Sequence, residues 1–169
     1  PKHGGANRQV LAQFSLIKQT VRDWKDDDAV ADCVGRILRR ELGDGSGLIY
    51  GMGHAVYTLS DPRTVILRQS ARTLAAQRGM LDELELMEAV ERVTPRVFAE
   101  VTGHEKVMCA NVDMYSGLIY QMLDIPPDLF TPLFAVARIT GWCAHRMEEV
   151  LTGGRLYRPA YKSLTRHRE

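Results

Sequence analysis

Residues 6–43 read ANRQVLAQFSLIKQTVRDWKDDDAVADCVGRILRRELG, and how their apolar positions are spaced decides the fold class. Val10, Leu11, Phe14, Ile17 and Val21, then Val30, Val34, Ile37 and Leu38, recur at helical intervals. A half-buried strand would alternate every second residue, whereas this pattern draws one stripe along each of two helices. Between them Asp26, Asp27 and Asp28 stand where carboxylates can accept the free amides of a first turn and meet the positive end of the helix dipole. Gly43 is the expected stop of the second helix.

The same reading extends downstream. From Gly43 to Gly53 there are five glycines in eleven residues, which predicts a loop with a short extended piece at Leu48 to Tyr50. Asp61 followed by Pro62 opens a helix, the acid as cap and the proline at the first helical position, running to about Gly79. A further helix is expected over Leu81 to Val101, restarted after a bend at Pro95. Asn111 can cap a helix through about Leu123, Pro126 and Pro127 break it, and a long apolar helix follows from about Leu129 to Leu151. Strand signals and internal repeats are almost absent, so the expected class is all-α and multi-helical.

Bulk properties bound the function. The chain has 169 residues, 45% of them hydrophobic, enough for a sizeable core. Twenty-two basic residues against 21 acidic ones give a formal charge of +1, so no overall field draws the molecule to nucleic acid or an anionic membrane. Cys33, Cys109 and Cys143 are odd in number and far apart, which argues against a disulfide framework or a zinc knuckle and fits a reducing, cytoplasmic setting. No window has the apolar length of a membrane span, and no leader pattern is present. The opening PKHGGAN, without an initiating Met, reads as the interior of a longer chain.

Three stretches and a set of arginines could carry chemistry. In YGMGHAVY, residues 50–57, His54 follows two glycines; it is either a half-buried turn residue or an imidazole facing a reacting atom beside a closely approaching ligand. The stretch is not a phosphate loop, since it lacks both GxxxxGK and GxGxxG. In NVDMYSG, residues 111–117, Asp113 is either a dipole-complementing cap or a base whose pKa its apolar neighbours Val112 and Met114 raise. His3 in PKHGGAN again sits beside paired glycines. Arg63, Arg138 and Arg158 could hold an anion, Arg138 the oddest because it lies within FAVARITGW; snorkelling to water is its ordinary alternative.

Taken in order and at these separations, PKHGGAN, GMGHAVYTLSDPR, NVDMYSG, FTPLFAVARITGW and YRP resemble the carboxy-terminal part of the citrate synthase family, from the first residue to about Tyr161. The resemblance implies an all-α homodimer, with a large domain and a smaller mobile one, that condenses acetyl-CoA with oxaloacetate without a metal. It implies that His3, His54 and Asp113 are the catalytic trio, and that His54, Arg63, Arg138 and Arg158 bind oxaloacetate, Arg158 reaching a neighbouring subunit's site. It places Ile49, Tyr50, Gly51, Met52 and Gly53 against CoA. It divides the chain into residues 1–4 at the end of a large-domain segment, 5–118 as the small domain and 119–169 as the closing helices. One departure is Thr58, where the family often has a basic residue for a CoA phosphate. The nearest rival within the class is a 2-methylcitrate synthase using propionyl-CoA.

The apolar circumference of the helix near 129–151 predicts self-association. From another class, a non-catalytic helical module could use its basic tail: Arg155, Arg158, Lys162, Arg166 and Arg168, interleaved with Tyr157 and Tyr161, suit RNA contacts, with a solvated tail as the plain alternative. Neither nucleic acid nor membrane is the expected partner.

Overall fold

The computed structural model describes residues 5–57, 59–104 and 108–152. They form six α-helices: α1 (Ala6–Thr20), α2 (Asp27–Leu38), α3 (Pro62–Arg78), α4 (Leu81–Thr102), α5 (Asp113–Met122) and α6 (Phe130–Leu151), the last preceded by a 3-10 turn at Pro127–Leu129. Among the described residues there is no strand, only an isolated antiparallel bridge between Met52 and Ala110. The all-α class expected from the apolar spacing is the class observed.

The chain forms two compact units, Pro1–Phe134 and Ala135–Glu169, with the division inside α6. In the first unit, Val10, Phe14 and Ile17 of α1, Val30, Val34 and Ile37 of α2, and Leu84, Met87 and Val90 of α4 are buried in one core, joined by Met114, Tyr115 and Leu118 of α5. Those of α1 and α2 are stripe positions the spacing selects, and covering the whole set supplies the driving force for the helices to dock. α2 packs along α4, and α5 packs against both α1 and α3. Close approach of α5 to α1 needs Gly117, where an added Cβ would lie 3.0 Å from the Asn7 carbonyl oxygen.

Helix ends follow the caps. Asp26 accepts hydrogen bonds from the amides of Asp28 and Ala29, and Asp61 caps α3 with Pro62 at its first position. Gly79, in the left-handed region at φ 68°, ends α3. Two expectations are corrected. α2 stops at Leu38 rather than running to Gly43, because Arg40 adopts φ 65°, which a right-handed helix cannot contain. α4 continues unbroken through Pro95 to Thr102; the ring removes only the bond to the Glu91 carbonyl, and the hydroxyl of Thr94 takes the neighbouring Val90 carbonyl. The expected extended piece at 48–50 is not a strand. Its backbone is held by Gln13 of α1, whose side-chain amide donates to the Leu48 carbonyl and accepts from the Tyr50 amide, at 2.9 and 3.0 Å.

Candidate active site

Two chain segments far apart in sequence are fastened together in front of α5. The Gly53 amide donates to the Cys109 carbonyl and the Asn111 amide to the Gly51 carbonyl, both at 2.8 Å. The Asn111 side chain adds a third tie, its Nδ2 donating to the Gly53 carbonyl at 3.0 Å, while its Oδ1 accepts the amide of Asp113 at 3.0 Å. A fourth comes from the Cys109 thiol, which donates to the Tyr57 carbonyl. The loop that carries His54 is thus fixed to the helix start that carries Asp113. The expected capping by Asn111 is present, two residues before the helix.

Gly51 shows why this join needs glycine. Its φ is +87°, and a Cβ there would lie 2.8 Å from the sulfur and 2.9 Å from the Cα of Met114. The space left by the missing side chain is filled by the protein's own helix, so the close approach at this position is between loop and α5. Gly53 also has positive φ, +91°, where glycine avoids backbone strain.

The imidazole is oriented by its own loop. Nδ1 of His54 accepts the backbone amides of Val56 and Tyr57, at 2.9 and 3.0 Å. Two N–H donors on that nitrogen leave the ring proton on Nε2. Nε2 faces the Oδ2 of Asp61 at 3.5 Å and the Nη2 of Arg63 at 3.4 Å. The Tyr57 ring packs against the imidazole with centroids 4.8 Å apart.

Asp61 is a site residue that the sequence reading treats only as a helix cap. Its side chain is fully buried and serves two residues at once, Arg63 and His54. Oδ1 accepts the Arg63 amide at 2.9 Å and the Arg63 Nε at 3.0 Å, and Oδ2 accepts Nη2 at 2.7 Å. The Arg63 hydrogen bond holds the Asp61 carboxyl below the usual carboxylate range against the opposing effect of burial. Its Asp-Pro-Arg setting is the signal that could have revealed this: a capping acid two residues before an arginine can hold both that residue's amide and its guanidinium.

Asp113 shifts the opposite way. Burial pushes its carboxyl above the usual range, and the charge of Arg63 pulls partly against that shift. The structure therefore sets His54, Asp61 and Arg63 in direct contact, and holds Asp113, at the start of the helix fastened to their loop, within the field of the Arg63 charge. Arg138 lies exposed on α6, in the other compact unit. His3, Arg158 and Thr58, and the basic tail from Arg155 to Arg168, lie outside the described residues.

Of the stretch expected against CoA, Tyr50, Met52 and Gly53 are half-buried, while Ile49 and Gly51 are buried, Ile49 within the core. The Tyr50 hydroxyl donates to Asp44 at 2.6 Å. Tyr50 also borders a groove of about 640 Å³ shared with Gln9, Gln13, Arg40 and Asp44. No group of His, Cys, Asp and Glu among the described residues could hold a metal ion, and the three cysteines are unpaired. No helix among the described residues is long and apolar enough to cross a membrane.

Comparison with known proteins gives this arrangement its class. Residues 1–160 match the model of the citrate synthase C-terminal domain, and the chain belongs to the citrate synthase family. It is 41% identical over 161 residues to a citrate synthase of Synechocystis sp., covering 94% of this chain and 36% of that protein. A 2-methylcitrate synthase of Shewanella oneidensis is 34% identical over 161 residues, covering 95% of this chain and 37% of that protein. Among solved structures, the citrate synthase of Thermoplasma acidophilum, in ternary complex with carboxymethyl coenzyme A and oxaloacetate, superposes with a TM-score of 0.68 at 28% identity, covering 100% of this chain and 42% of that one. The chain thus spans a little over a third of the length of the curated relatives it matches.

Proposed function

We propose that this chain is the carboxy-terminal part of a citrate synthase, an acyltransferase that condenses acetyl-CoA with oxaloacetate to give citrate and CoA. The observation that supports the reading is the fastening of loop 51–53 to residues 109–111, which ties the loop that carries His54, itself against Arg63, to the start of the helix that Asp113 opens.

In this reading Asp113 removes a proton from the acetyl methyl group. Burial that raises its carboxyl makes the carboxylate a stronger base. A positioned base supplies about 10²- to 10⁴-fold of an acceleration that exceeds roughly 10⁶-fold, so most of the stabilisation falls on the enolate oxygen. His3 is the proposed donor to that oxygen. The enolate carbon then attacks the oxaloacetate ketone, and the Nε2 proton of His54 passes to the alkoxide. Water releases CoA from the resulting thioester. Arg63, Arg138 and Arg158 are the proposed carboxylate grips, and Arg63 has a geometric basis: its guanidinium stands 3.4 Å from the nitrogen that would meet the ketone.

The stretch Ile49 to Gly53 is the proposed CoA contact, and no metal is required. Residues 5–118 as a mobile domain, 119–169 as closing helices of a larger one, a homodimeric or higher assembly and a cytoplasmic site of action belong to the same proposal. It is tested with His54→Ala in the full-length protein. CoA release from acetyl-CoA and oxaloacetate should fall by at least about 10²-fold; near-normal turnover refutes the assignment. The 34% identity to a 2-methylcitrate synthase supports one alternative, a preference for propionyl-CoA. The ratio of kcat/KM for the two thioesters decides between them.

A further inference from the structure

α5 has only ten residues, and a helix so short is held by what it docks against rather than by its own propensity. Asp113 is its first residue. On one side of Asp113 stands Asn111, hydrogen-bonded to the Asp113 amide and the Gly53 carbonyl at 3.0 Å each. On the other side stands Tyr115, a fully buried residue whose hydroxyl donates to the carboxylate of Glu91 on α4. Glu91 is in turn approached by Arg68 of α3 at 3.5 Å. Three helices therefore meet in one polar chain two residues from Asp113.

A phenylalanine in place of Tyr115 would fill almost the same space without drying a phenol and a carboxylate. What the hydroxyl adds is direction. Apolar packing tolerates a small rotation of a helix about its axis, whereas a hydrogen bond to an anchored carboxylate does not. A rotation of about 15°, acting roughly 5 Å from the axis, moves a side-chain carboxylate by about 1 Å. A displacement of that size costs up to about 10²-fold in a reaction that depends on alignment.

We propose that Tyr115 and Glu91 are positioning residues for Asp113, their hydrogen bond fixing the rotation of α5 so that the carboxylate meets the acetyl methyl group. This rests on the citrate synthase reading above. The test uses the full-length enzyme with Tyr115→Phe, Glu91→Ala, Glu91→Gln and the Tyr115→Phe/Glu91→Ala double variant. In Tyr115→Phe and Glu91→Ala, kcat should fall about 10- to 100-fold, with KM for both substrates changed by less than about twofold. Methyl-deuterated acetyl-CoA should show a larger isotope effect in these variants than in the wild type, because proton removal becomes slower. Glu91→Gln, which keeps an oxygen acceptor for the phenol, should retain most of kcat. The double variant should be no slower than the slower single one.

An unchanged kcat, an unchanged isotope effect at reduced kcat, or losses that multiply would overturn the inference. If Glu91→Ala does not fold, Tyr115→Phe and Glu91→Gln decide it by the same readouts. An active wild type with an unaffected Tyr115→Phe variant sinks this inference alone. A wild type inactive on acetyl-CoA and oxaloacetate sinks the functional reading, and this inference with it.

Discussion

α4 and α6 are both 22 residues long, yet they treat their apolar side chains in opposite ways. α4 buries Leu84, Leu86, Met87, Val90, Val93 and Val97 within the first compact unit. Along α6 only Phe130 is buried, while Val136, Ile139, Trp142, Met147, Val150 and Leu151 are exposed. One helix satisfies its stripe against neighbours supplied by this chain, and the other carries an apolar surface that needs some further partner to be covered. The difference teaches where substitutions will be felt. In the first unit, geometry set by packing decides their effect; along α6, the intrinsic preference of the residue decides it.

The contrast can be broken most sharply at Asp113. In the full-length protein Asp113→Asn should reduce CoA release by about 10²- to 10⁴-fold, while the protein stays folded. Its stability should rise rather than fall. Burial raises the folded carboxyl above its unfolded value, so the native state loses stability as pH rises from the unfolded pKa through the folded one. The asparagine removes that loss, and thermal melting at a pH above the raised carboxyl pKa should show a higher Tm than wild type; a lower one would contradict the burial argument.

Two glycine-to-alanine changes sharpen the comparison next. Gly51→Ala must accommodate a Cβ 2.8 Å from the Met114 sulfur at a φ of +87°, and should destabilise the fold by about 2–4 kcal/mol in denaturant titration. Asp61→Asn removes the negative charge from a fully buried cap bonded to Arg63 and should cost about 1–3 kcal/mol. Asp61 has a folded pKa below its unfolded one, so its contribution is complete above the ordinary carboxylate range and is lost as pH falls through the lowered value. The gap between wild type and Asp61→Asn should therefore close in acid. Gly141→Ala has the smallest effect and the opposite sign. Among the described residues, no atom beyond the helix's own backbone and the neighbouring residues lies within 4 Å of the added Cβ on α6, so the helix should gain about 1 kcal/mol. A destabilised Gly141→Ala protein would show that α6 is packed in solution where its exposure says it is open.

Much of this was readable beforehand because it is local. The stripes of α1 and α2, the Asp-Pro start of α3 and the glycine end at Gly79 depend on residues within a turn or two of one another. The early end of α2 was not, since φ 65° at Arg40 leaves no compositional mark. Nor was Gln13, a polar residue on the buried face of α1 that holds backbone 35 and 37 residues away. His54, Arg63 and Asp113 are residue types that suit the chemistry; of these, His54 and Arg63 stand in direct contact, and Asp113 lies within the field of Arg63. The grip of Asp61 on Arg63 is implicit in the Asp-Pro-Arg spacing, but no spacing could disclose that the same buried carboxylate also faces His54, because that depends on how the loop folds back on the helix start.

The ties between residues 51–53 and 109–111 span 56 to 60 positions, and α3 and α4 lie wholly inside the circuit they close. Closing so long a circuit is entropically costly until the enclosed helices have docked, so this junction should form late on the folding pathway. It should also be among the first to come apart. A transient opening there would separate the imidazole from the carboxylate while both helices remain intact, silencing the molecule well short of denaturation. Hydrogen exchange at the Gly53 and Asn111 amides would show it as one shared rate, faster than that of the α4 interior.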